Sequence, residues 1–267
     1  MKNNPLISII ITNYNKSKFI IKGVKSCLNQ KYKEIEIIFF DDNSSDDSLK
    51  KIKDFKKKNE INLKIISNQK KKNSTSPINQ MIAVNKSLKY VKGKFIFLLD
   101  SDDFFHKKKF FDIVRIFERD DKKKLIIDLP IFKYKKKEIK KNYKNISFKN
   151  KWPKFPPTSC MSFETKTLKK VIKKINFKKY PNLAIDFFLA VYYYVILKNF
   201  YIHKSHLTYY RQLTNGTDSI YLKYRTKKWW IRRKEAFEFL NDLLVKNRLP
   251  VNKGLDFSIT NFLNKIL

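Results

Sequence analysis

The sequence predicts an α/β fold in which a Rossmann-like, mostly parallel sheet is flanked by helices. Short apolar, β-branched runs alternate with helical segments through the first part of the chain, which is typical of a doubly wound sheet. The runs are apolar at nearly every position, as strands covered on both faces are. With 267 residues, 42% of them hydrophobic, the chain can bury a sizeable core.

Strands and helices alternate regularly in the first half. Pro77 suits the first turn of one predicted helix, and Gly93 ends the turn before a strand. The predicted strands are Leu6–Thr12, Ile35–Phe40, Leu63–Ile66 and Lys94–Leu99. The predicted helices are Phe19–Asn29, Asp47–Lys58 and Ser76–Tyr90.

The second half is less regular. Its predicted strands, of which the first two can also pair as a hairpin, are Leu125–Tyr134, Glu138–Phe148 and Phe200–Arg211. A Pro-rich loop is predicted at Lys151–Pro157. The predicted helices are Thr167–Ile175, Asn182–Leu197, Trp229–Lys246 and a last one from about Leu255. We expect the chain to divide into a first part at residues 1–120, a second part at 121–225 and a helical extension at 226–267.

The chain is strongly basic, with 60 Lys and Arg against 24 Asp and Glu and a net charge of +36. Such an excess raises the question of nucleic acid or of an anionic membrane. The positive residues are mostly Lys and are spread along the whole chain, and Gly is scarce, a mix that AT-rich codons would produce. We therefore expect no nucleic-acid partner, and favour weak peripheral attraction to acidic lipid headgroups.

Cysteine usage and apolar runs bear on the cellular compartment. Cys27 and Cys160 lie in apolar contexts without metal-ligand spacing, as buried thiols in a reducing cytosol do. The N-terminus lacks a signal-peptide pattern, and the longest apolar run, Phe187–Leu197, is shorter than the ~20 residues that a spanning helix needs. We expect a cytoplasmic protein that can lie at the inner face of the plasma membrane.

Three polar clusters each follow a predicted strand: Thr12–Asn15, Asp41–Asp46 and Asp100–Asp103. Ligands of such sheets bind beyond the carboxyl ends of the strands, so we expect these clusters at one rim. Alternate carboxylates at Asp100 and Asp102 suit Mg²⁺ or Mn²⁺, with substrate phosphates completing the coordination. The alternative is a capping cluster for a helix starting near Phe104.

Three sequence blocks match conserved blocks of a known family in their order and spacing. They are ISIIITNYN (Ile7–Asn15), EIIFFDDNSSD (Glu36–Asp46) and KGKFIFLLDSDD (Lys92–Asp103). Over about residues 6–105 the chain resembles the family 2 glycosyltransferases of the GT-A fold. The last block matches that family's DxD motif, and Asn43 stands where the family usually has Gly.

The resemblance implies a set of residues that bind the nucleotide-sugar donor. Asp42 would accept a hydrogen bond from the base, often a uracil. Asn85 matches an Asn of the family, but Val84 replaces the Arg before it, so Lys70–Lys72 are candidates for the diphosphate contact. The residues that would line the nucleotide pocket are Thr12, Tyr14 and Asn15.

The resemblance also implies a divalent metal, Mn²⁺ or Mg²⁺. Asp102 would bind the ion, Asp100 would contact the ribose or the ion, and Asp103 is a further candidate. Tyr209–Gln212, followed by Asn215–Ser219, resembles a late Tyr-Arg block of the family. Arg211 in this block could pair with a donor phosphate or with Asp186, or be an ordinary surface residue.

Asp186 is the candidate catalytic base. It interrupts a strongly apolar run, where a lone carboxylate is destabilising unless it is paired or has a raised pKa. It matches the Asp of a Glu-Asp pair that supplies the base in the family, and Ile185 replaces the Glu. Such a base would deprotonate the acceptor hydroxyl and invert the anomeric centre. The alternatives are a helix cap and a salt bridge.

The resemblance implies transfer of a sugar from a UDP-linked donor to a glycan or lipid-linked acceptor in bacterial cell-surface polysaccharide synthesis. It also implies that residues 1–120 bind the donor, that residues 121–225 bind the acceptor and supply the catalytic base, and that residues 226–267 form an extension on the acceptor side. A nucleotidyltransferase-like enzyme and a basic nucleic-acid-binding protein are the alternatives. Trp229–Lys234 mixes aromatic and basic residues, which suits either packing on the sheet or docking at a membrane interface.

Overall fold

The computed structural model describes residues 4–68, 75–140, 155–213, 226–251 and 253–267. In these ranges the chain forms a nine-stranded mixed sheet with helices packed on both faces. Some predictions lie wholly or partly outside the described residues. These are the lysines Lys70–Lys72, the Asn215–Ser219 block, the end of the predicted strand Glu138–Phe148 and the start of the loop Lys151–Pro157.

The strand order in the sheet is β3-β2-β1-β4-β8-β6-β9-β5, with β7 paired to β6. The first four strands are parallel to one another, whereas β8 pairs antiparallel to both β4 and β6. The strands are β1 (Ile7–Asn13), β2 (Ile35–Asp41), β3 (Leu63–Ser67), β4 (Phe95–Asp100), β5 (Phe104–Phe105), β6 (Leu125–Lys133), β7 (Glu138–Lys140), β8 (Met161–Glu164) and β9 (Phe200–Arg211).

Helices cover both faces of the sheet, so the central strands are buried on each side. Ile9 of β1 packs into the layer formed with α1, α2 and α4, and Ile10 packs into the opposite layer, with α3, α5, α6 and α7. The helices are α1 (Ile20–Leu28), α2 (Ser48–Asn59), α3 (Ser76–Ser87), α4 (Lys109–Arg119), α5 (Thr165–Lys174), α6 (Ile185–Tyr192), α7 (Lys227–Lys246) and α8 (Leu255–Ile266).

The structure corrects three predicted elements. Phe104 does not start a helix, because Phe104–Phe105 forms β5 and pairs with β9, and the next helix begins at Lys109. The helix predicted to run to Leu197 is α-helical only to Tyr192 and continues as a π-helical turn. The four-residue strand β8 was not predicted.

The predicted division at residue 120 falls within a continuous sheet. β4 lies before this position and β8 lies after it, and the two strands hydrogen bond to each other. The assignment of donor and acceptor halves therefore stays a prediction about function. Across the described ranges, none of the helices is both long and apolar enough to cross a membrane.

Candidate active site

The predicted polar clusters meet where β1, β2 and β4 end. β1 lies between the other two strands, with Asn13 in register with Asp41 and Thr12 in register with Asp100. Since neighbouring strands are about 4.8 Å apart, the ends of β2 and β4 are separated by about 10 Å across β1. One ligand of nucleotide size could therefore contact residues at the ends of all three strands.

Two loops at this rim are tied together by asparagine and serine side chains. Asn13 Nδ2 donates to Asp41 Oδ1 at 2.7 Å, and the backbone N–H of Ser45 donates to Asn15 Oδ1 at 2.8 Å. Asn15 and Asn43 both have positive φ, 52° and 58°, a conformation that Asn tolerates better than most residues. This conformation explains why Asn can stand at position 43 where the family usually has Gly.

Asp42 directly follows β2, and Tyr14 directly follows β1. Asp42 is buried, its backbone N–H donates to Asn13 O at 2.8 Å, and Asn68 Nδ2 donates to its Oδ1 at 2.7 Å. Lys86 Nζ in turn donates to Asn68 Oδ1 at 2.7 Å. Tyr14 is 41% exposed. The Asp42 carboxylate is thus oriented by a partner, Asn68, that the sequence did not reveal.

Asp100 is held by two side chains from neighbouring elements. Gln80 Nε2 donates to Asp100 Oδ1 at 2.6 Å, and Thr12 Oγ1 donates to the same oxygen at 3.3 Å. Asn85, the α3 residue predicted for donor binding, is exposed and is about 140° around the helix from Gln80. Val84 is buried in the core. The α3 residue that reaches the DxD motif is therefore Gln80.

Asp102 and Arg211 lie together at the turn after β4. Lys16 Nζ is 2.8 Å from Asp102 Oδ2, and Arg211 Nε donates to Asp102 O at 2.7 Å. The Arg211 guanidinium lies 4.6 Å from the centre of the Phe19 ring. Pairing of β5 with β9 brings Arg211 to this turn. The turn thus has two cationic side chains beside the DxD motif, of which the sequence predicted only Arg211.

Asp103 does not fit its predicted role as a metal ligand. Its side chain is buried, Ser159 Oγ donates to Oδ2 at 2.6 Å, and the Arg211 backbone N–H donates to Oδ1 at 2.8 Å. Burial, together with the Asp102 and Asp100 carboxylates, raises the pKa of Asp103 well above its ordinary value. Both carboxylate oxygens of Asp103 accept hydrogen bonds from within the protein, so Asp103 stabilises the turn.

A buried ion pair supports this turn from below. Lys109 Nζ of α4 is 2.5 Å from Asp128 Oδ2 of β6, and both side chains are fully buried. Lys109 Nζ also donates to Ser159 O at 2.8 Å. Ser159 Oγ accepts from the Asp100 backbone N–H at 3.0 Å. Burial raises the pKa of Asp128, and Lys109 opposes that shift.

The residues at the rim can hold a divalent cation in one way. No group of three His, Cys, Asp or Glu side chains among the described residues is arranged as a metal site. Asp100 and Asp102 remain, both half-buried carboxylates, and Mg²⁺ is often held by one or two carboxylates plus substrate phosphates. The site therefore fits an ion that arrives with a diphosphate, and the ion would displace Lys16 from Asp102.

Asp186 lies in the first turn of α6, where the helix dipole favours a negative charge. It is half-buried, and its Oδ1 accepts the backbone N–H of Phe187 at 2.7 Å. α6 packs against α3, the helix that carries Gln80, and Thr75 Oγ1 donates to Pro181 O between the two segments. The structure thus links Asp186 to Asp100 indirectly, through α3.

A surface cavity of about 510 Å³ lies beside the rim, between α1 and β5. Lys22, Phe104 and Lys107 line it, and none of the predicted donor-binding residues does. The Lys22 ammonium lies 3.9 Å from the centre of the Phe104 ring. This cavity is therefore not lined by Asp42, Asp100 or Asp102.

The fold is that of the GT-A glycosyltransferases, as predicted. The structure of S. aureus TarS 1-349 in complex with UDP matches 97% of this chain and 69% of that one, with a TM-score of 0.65 and 16% identity. The mannosyltransferase PcManGT of Pyrobaculum calidifontis, solved with GDP-Man and Mn²⁺, matches 98% of this chain and 69% of its own, with a TM-score of 0.56 and 11% identity.

The chain belongs to glycosyl transferase family 2, whose sequence model matches residues 8–175. An uncharacterized glycosyltransferase of Haemophilus influenzae is 41% identical over 110 residues, 40% of either chain. The Escherichia coli UDP-Glc:alpha-D-GlcNAc-diphosphoundecaprenol beta-1,3-glucosyltransferase WfgD is 36% identical over 98 residues, 37% of this chain and 35% of that one. The chain thus spans two fifths or less of the length of these curated relatives. The predicted family is confirmed.

Proposed function

We propose that this chain transfers a sugar from a UDP-linked donor to a hydroxyl group of a lipid-linked glycan acceptor, with inversion at the anomeric carbon. The observation that carries the proposal is the meeting of Asp42, Asp100 and Asp102 around the end of β1. The ends of β2 and β4, which carry these side chains, are about 10 Å apart with the end of β1 between them.

The nucleotide would lie between the ends of β2 and β4. Asp42, oriented by Asn68, has one carboxylate oxygen bonded to that side chain and a second that can accept an N–H of the base. Uracil offers such an N–H. Thr12 and the exposed Tyr14 border the same space, and Asp100 is positioned by Gln80 to reach the ribose.

The donor diphosphate would lie next to Asp102, Lys16 and Arg211. A divalent ion on Asp100 and Asp102 would neutralise charge that develops on the departing diphosphate. Lys16, released from Asp102, and Arg211 would add positive charge on the same side. The buried Asp103 keeps the turn in place beneath them.

Asp186 would accept the proton of the acceptor hydroxyl as that oxygen attacks the anomeric carbon. Attack from the side opposite the diphosphate displaces it in one step, so the product has the inverted configuration. Asp186 is half-buried, so the residue is partly exposed to solvent.

The acceptor class is suggested by relatives. WfgD and a Campylobacter jejuni relative, 33% identical over 99 residues, are named for acceptors joined to undecaprenol. We infer an acceptor of this kind here, in polysaccharide synthesis, and place the reaction at the cytoplasmic face of the plasma membrane.

A donor screen tests the proposal. UDP- and GDP-linked sugars are incubated with the chain and Mn²⁺ or Mg²⁺, and release of the nucleoside diphosphate is measured. We expect release from a UDP-sugar and loss of release with chelator.

Thermal shift with UDP and Mn²⁺, compared with a DNA oligomer, separates this function from nucleic-acid binding. Stabilisation by DNA alone would contradict the proposal.

A further inference from the structure

The C-terminal helix α8 turns an apolar face away from the protein. Leu255, Ile259, Phe262 and Ile266 are 83%, 51%, 62% and 62% exposed. With 100° per residue, these four positions fall within an arc of about 60° on the helix. We call this set the α8 apolar face. A contiguous exposed patch of this kind marks an interaction surface more often than scattered apolar residues do.

The opposite side of α8 is fixed on α7 by polar and aromatic contacts. Arg233 Nε donates to the buried Thr260 Oγ1 at 3.0 Å, and Asn264 Nδ2 donates to Trp230 O at 3.0 Å. The Phe257 ring stacks edge-on against Phe237 with centres 5.6 Å apart. A surface helix normally turns its apolar side inward. Here the contacts with α7 hold α8 with its apolar side facing outward.

Charge indicates what can cover this face. Residues 226–267 contain nine Lys and Arg but four Asp and Glu. Three of these acids form ion pairs, Asp256 with Arg233, Glu238 with Lys234 and Asp242 with Lys179, and the fourth, Glu235, is buried.

The cations nearest to the face in sequence are available to a partner. Lys246, Arg248, Lys253 and Lys265 are exposed and form no ion pair within the described ranges. A second copy of a chain with a net charge of +36 would be repelled. An anionic surface with an apolar interior would match both the cations and the apolar side chains.

Helix α7, on which α8 packs, connects the α8 apolar face to α6, the helix that carries Asp186. Phe239 of α7 packs edge-on against Phe188 of α6 with ring centres 4.9 Å apart. Glu235 of α7 accepts the backbone N–H of Asn182, just before α6, at 2.7 Å. A surface bound to the α8 apolar face would therefore lie on the acceptor side.

We propose that the α8 apolar face docks on an anionic lipid bilayer, with its four side chains in the headgroup region and the flanking lysines on acidic headgroups. The docking itself is independent of catalysis. Its purpose, bringing a lipid-linked acceptor towards Asp186, rests on the function proposed above.

The Trp229–Lys234 segment, considered for membrane docking from sequence, is engaged within the protein. Trp229 and Trp230 are half-buried, and the Arg233 guanidinium lies 5.3 Å from the Trp229 ring centre and pairs with Asp256 of α8. These contacts favour the packing alternative for this segment. They also keep α8 in the orientation that exposes its apolar face.

Vesicle co-sedimentation of the full chain tests the proposal, using phosphatidylglycerol–phosphatidylethanolamine vesicles and phosphatidylcholine vesicles. We expect binding to the anionic vesicles, and a loss of about tenfold or more in affinity for Phe262→Ser/Ile266→Ser, because two large apolar side chains leave the bilayer. The matched control is Phe111→Ser, at another exposed aromatic residue, on α4. It should bind as the wild type does.

Equal binding by the wild type and the double variant would overturn the proposal. So would a dimer of the wild type in sedimentation velocity that is absent in the double variant, since the face would then join two copies.

Donor cleavage in solution separates the two proposals. If the double variant cleaves donor normally but loses vesicle binding, both stand. If the wild type binds vesicles through this face but cleaves no nucleotide sugar, docking stands and the transferase function fails.

Discussion

Ser159 connects the two ends of the Asp100–Asp103 turn. Its hydroxyl accepts the Asp100 backbone N–H and donates to the buried Asp103 carboxylate, while its carbonyl accepts a hydrogen bond from Lys109. The residue sits in a short 3₁₀ turn ahead of β8 and is far in sequence from both aspartates. Its role could not be predicted from local pattern.

Ser159→Ala should lower the free energy of unfolding by about 1–3 kcal/mol, because a buried carboxylate loses a donor and an amide loses an acceptor. Urea denaturation measures the change. The matched control is Ser162→Ala, since the buried Ser162 hydroxyl has no hydrogen-bond partner among the described residues. That variant should be neutral or slightly stabilised. Equal losses in the two variants would contradict a specific role for Ser159.

Asp186→Asn should abolish sugar transfer while leaving donor affinity nearly unchanged. The amide keeps the shape of the side chain but cannot take up a proton from the acceptor hydroxyl. Donor binding is measured by calorimetry with UDP and Mn²⁺, and transfer by product formation. Asp121→Asn, at an exposed acid, is the control and should retain both. A parallel loss of donor binding would indicate that Asp186 is structural.

The predicted site residues that the structure brings together are mainly those whose positions follow from strand ends. Thr12, Asp42 and Asp100 come directly after or at the ends of parallel strands, so topology alone brings them together. Gln80 and Lys16 reach the same rim from α3 and from the loop after β1, and which way they point depends on packing.

At the scale of elements, the long apolar strands were predictable and the short ones were not. β1 and β4 are nearly all apolar because helices cover both of their faces. β5 has two residues and β8 has four, too few to show a period, and each exists because of a partner distant in sequence. Gly93, before β4, is required by close packing, since a Cβ atom would lie 2.6 Å from Ser8 N.

The contact between α7 and the start of α6 should depend on pH through Glu235. Burial raises the pKa of Glu235 above its ordinary value, against the hydrogen bonds from Asn182. The native state then holds the proton more tightly than the unfolded chain. The contribution of Glu235 to the free energy of unfolding should therefore fall as pH rises from about 4.5 through the folded pKa.

Glu235→Gln should remove this part of the pH dependence, because the amide does not titrate. Urea denaturation of the wild type and the variant at about pH 5 and about pH 7 measures the difference. We expect the variant to gain stability relative to the wild type at the higher pH. An identical pH slope in the two proteins would show that the carboxyl group titrates normally.

At the scale of the whole molecule, the buried Lys109–Asp128 pair joins elements from both predicted halves. Thr208 of β9 donates to Asp128 Oδ1 at 2.7 Å and accepts from Lys109 at 2.7 Å. Breaking such a pair leaves an uncompensated charge in the core. The pair therefore makes the packing of α4 on β6 and β9 sensitive to either residue.

Lys109→Met should lower the free energy of unfolding by about 3–5 kcal/mol, and adding Asp128→Leu should restore much of that loss. Chemical denaturation of the single and double variants measures both. Lys133→Met, which breaks the more exposed pair with Glu138, should change stability by about 1 kcal/mol or less. A double variant no more stable than Lys109→Met would contradict this account.

The pairing of β4 with β8 limits how such a protein can be recombined. β4 has β1 on one side and β8 on the other, so a fragment that stopped near residue 120 would leave the Phe95–Phe97 backbone without its second neighbour. Open strand edges of this kind invite association with other chains. Chimeras that exchange acceptor specificity should therefore carry Met161–Glu164 with the donor-side segment, so that β4 keeps β8 as its second neighbour.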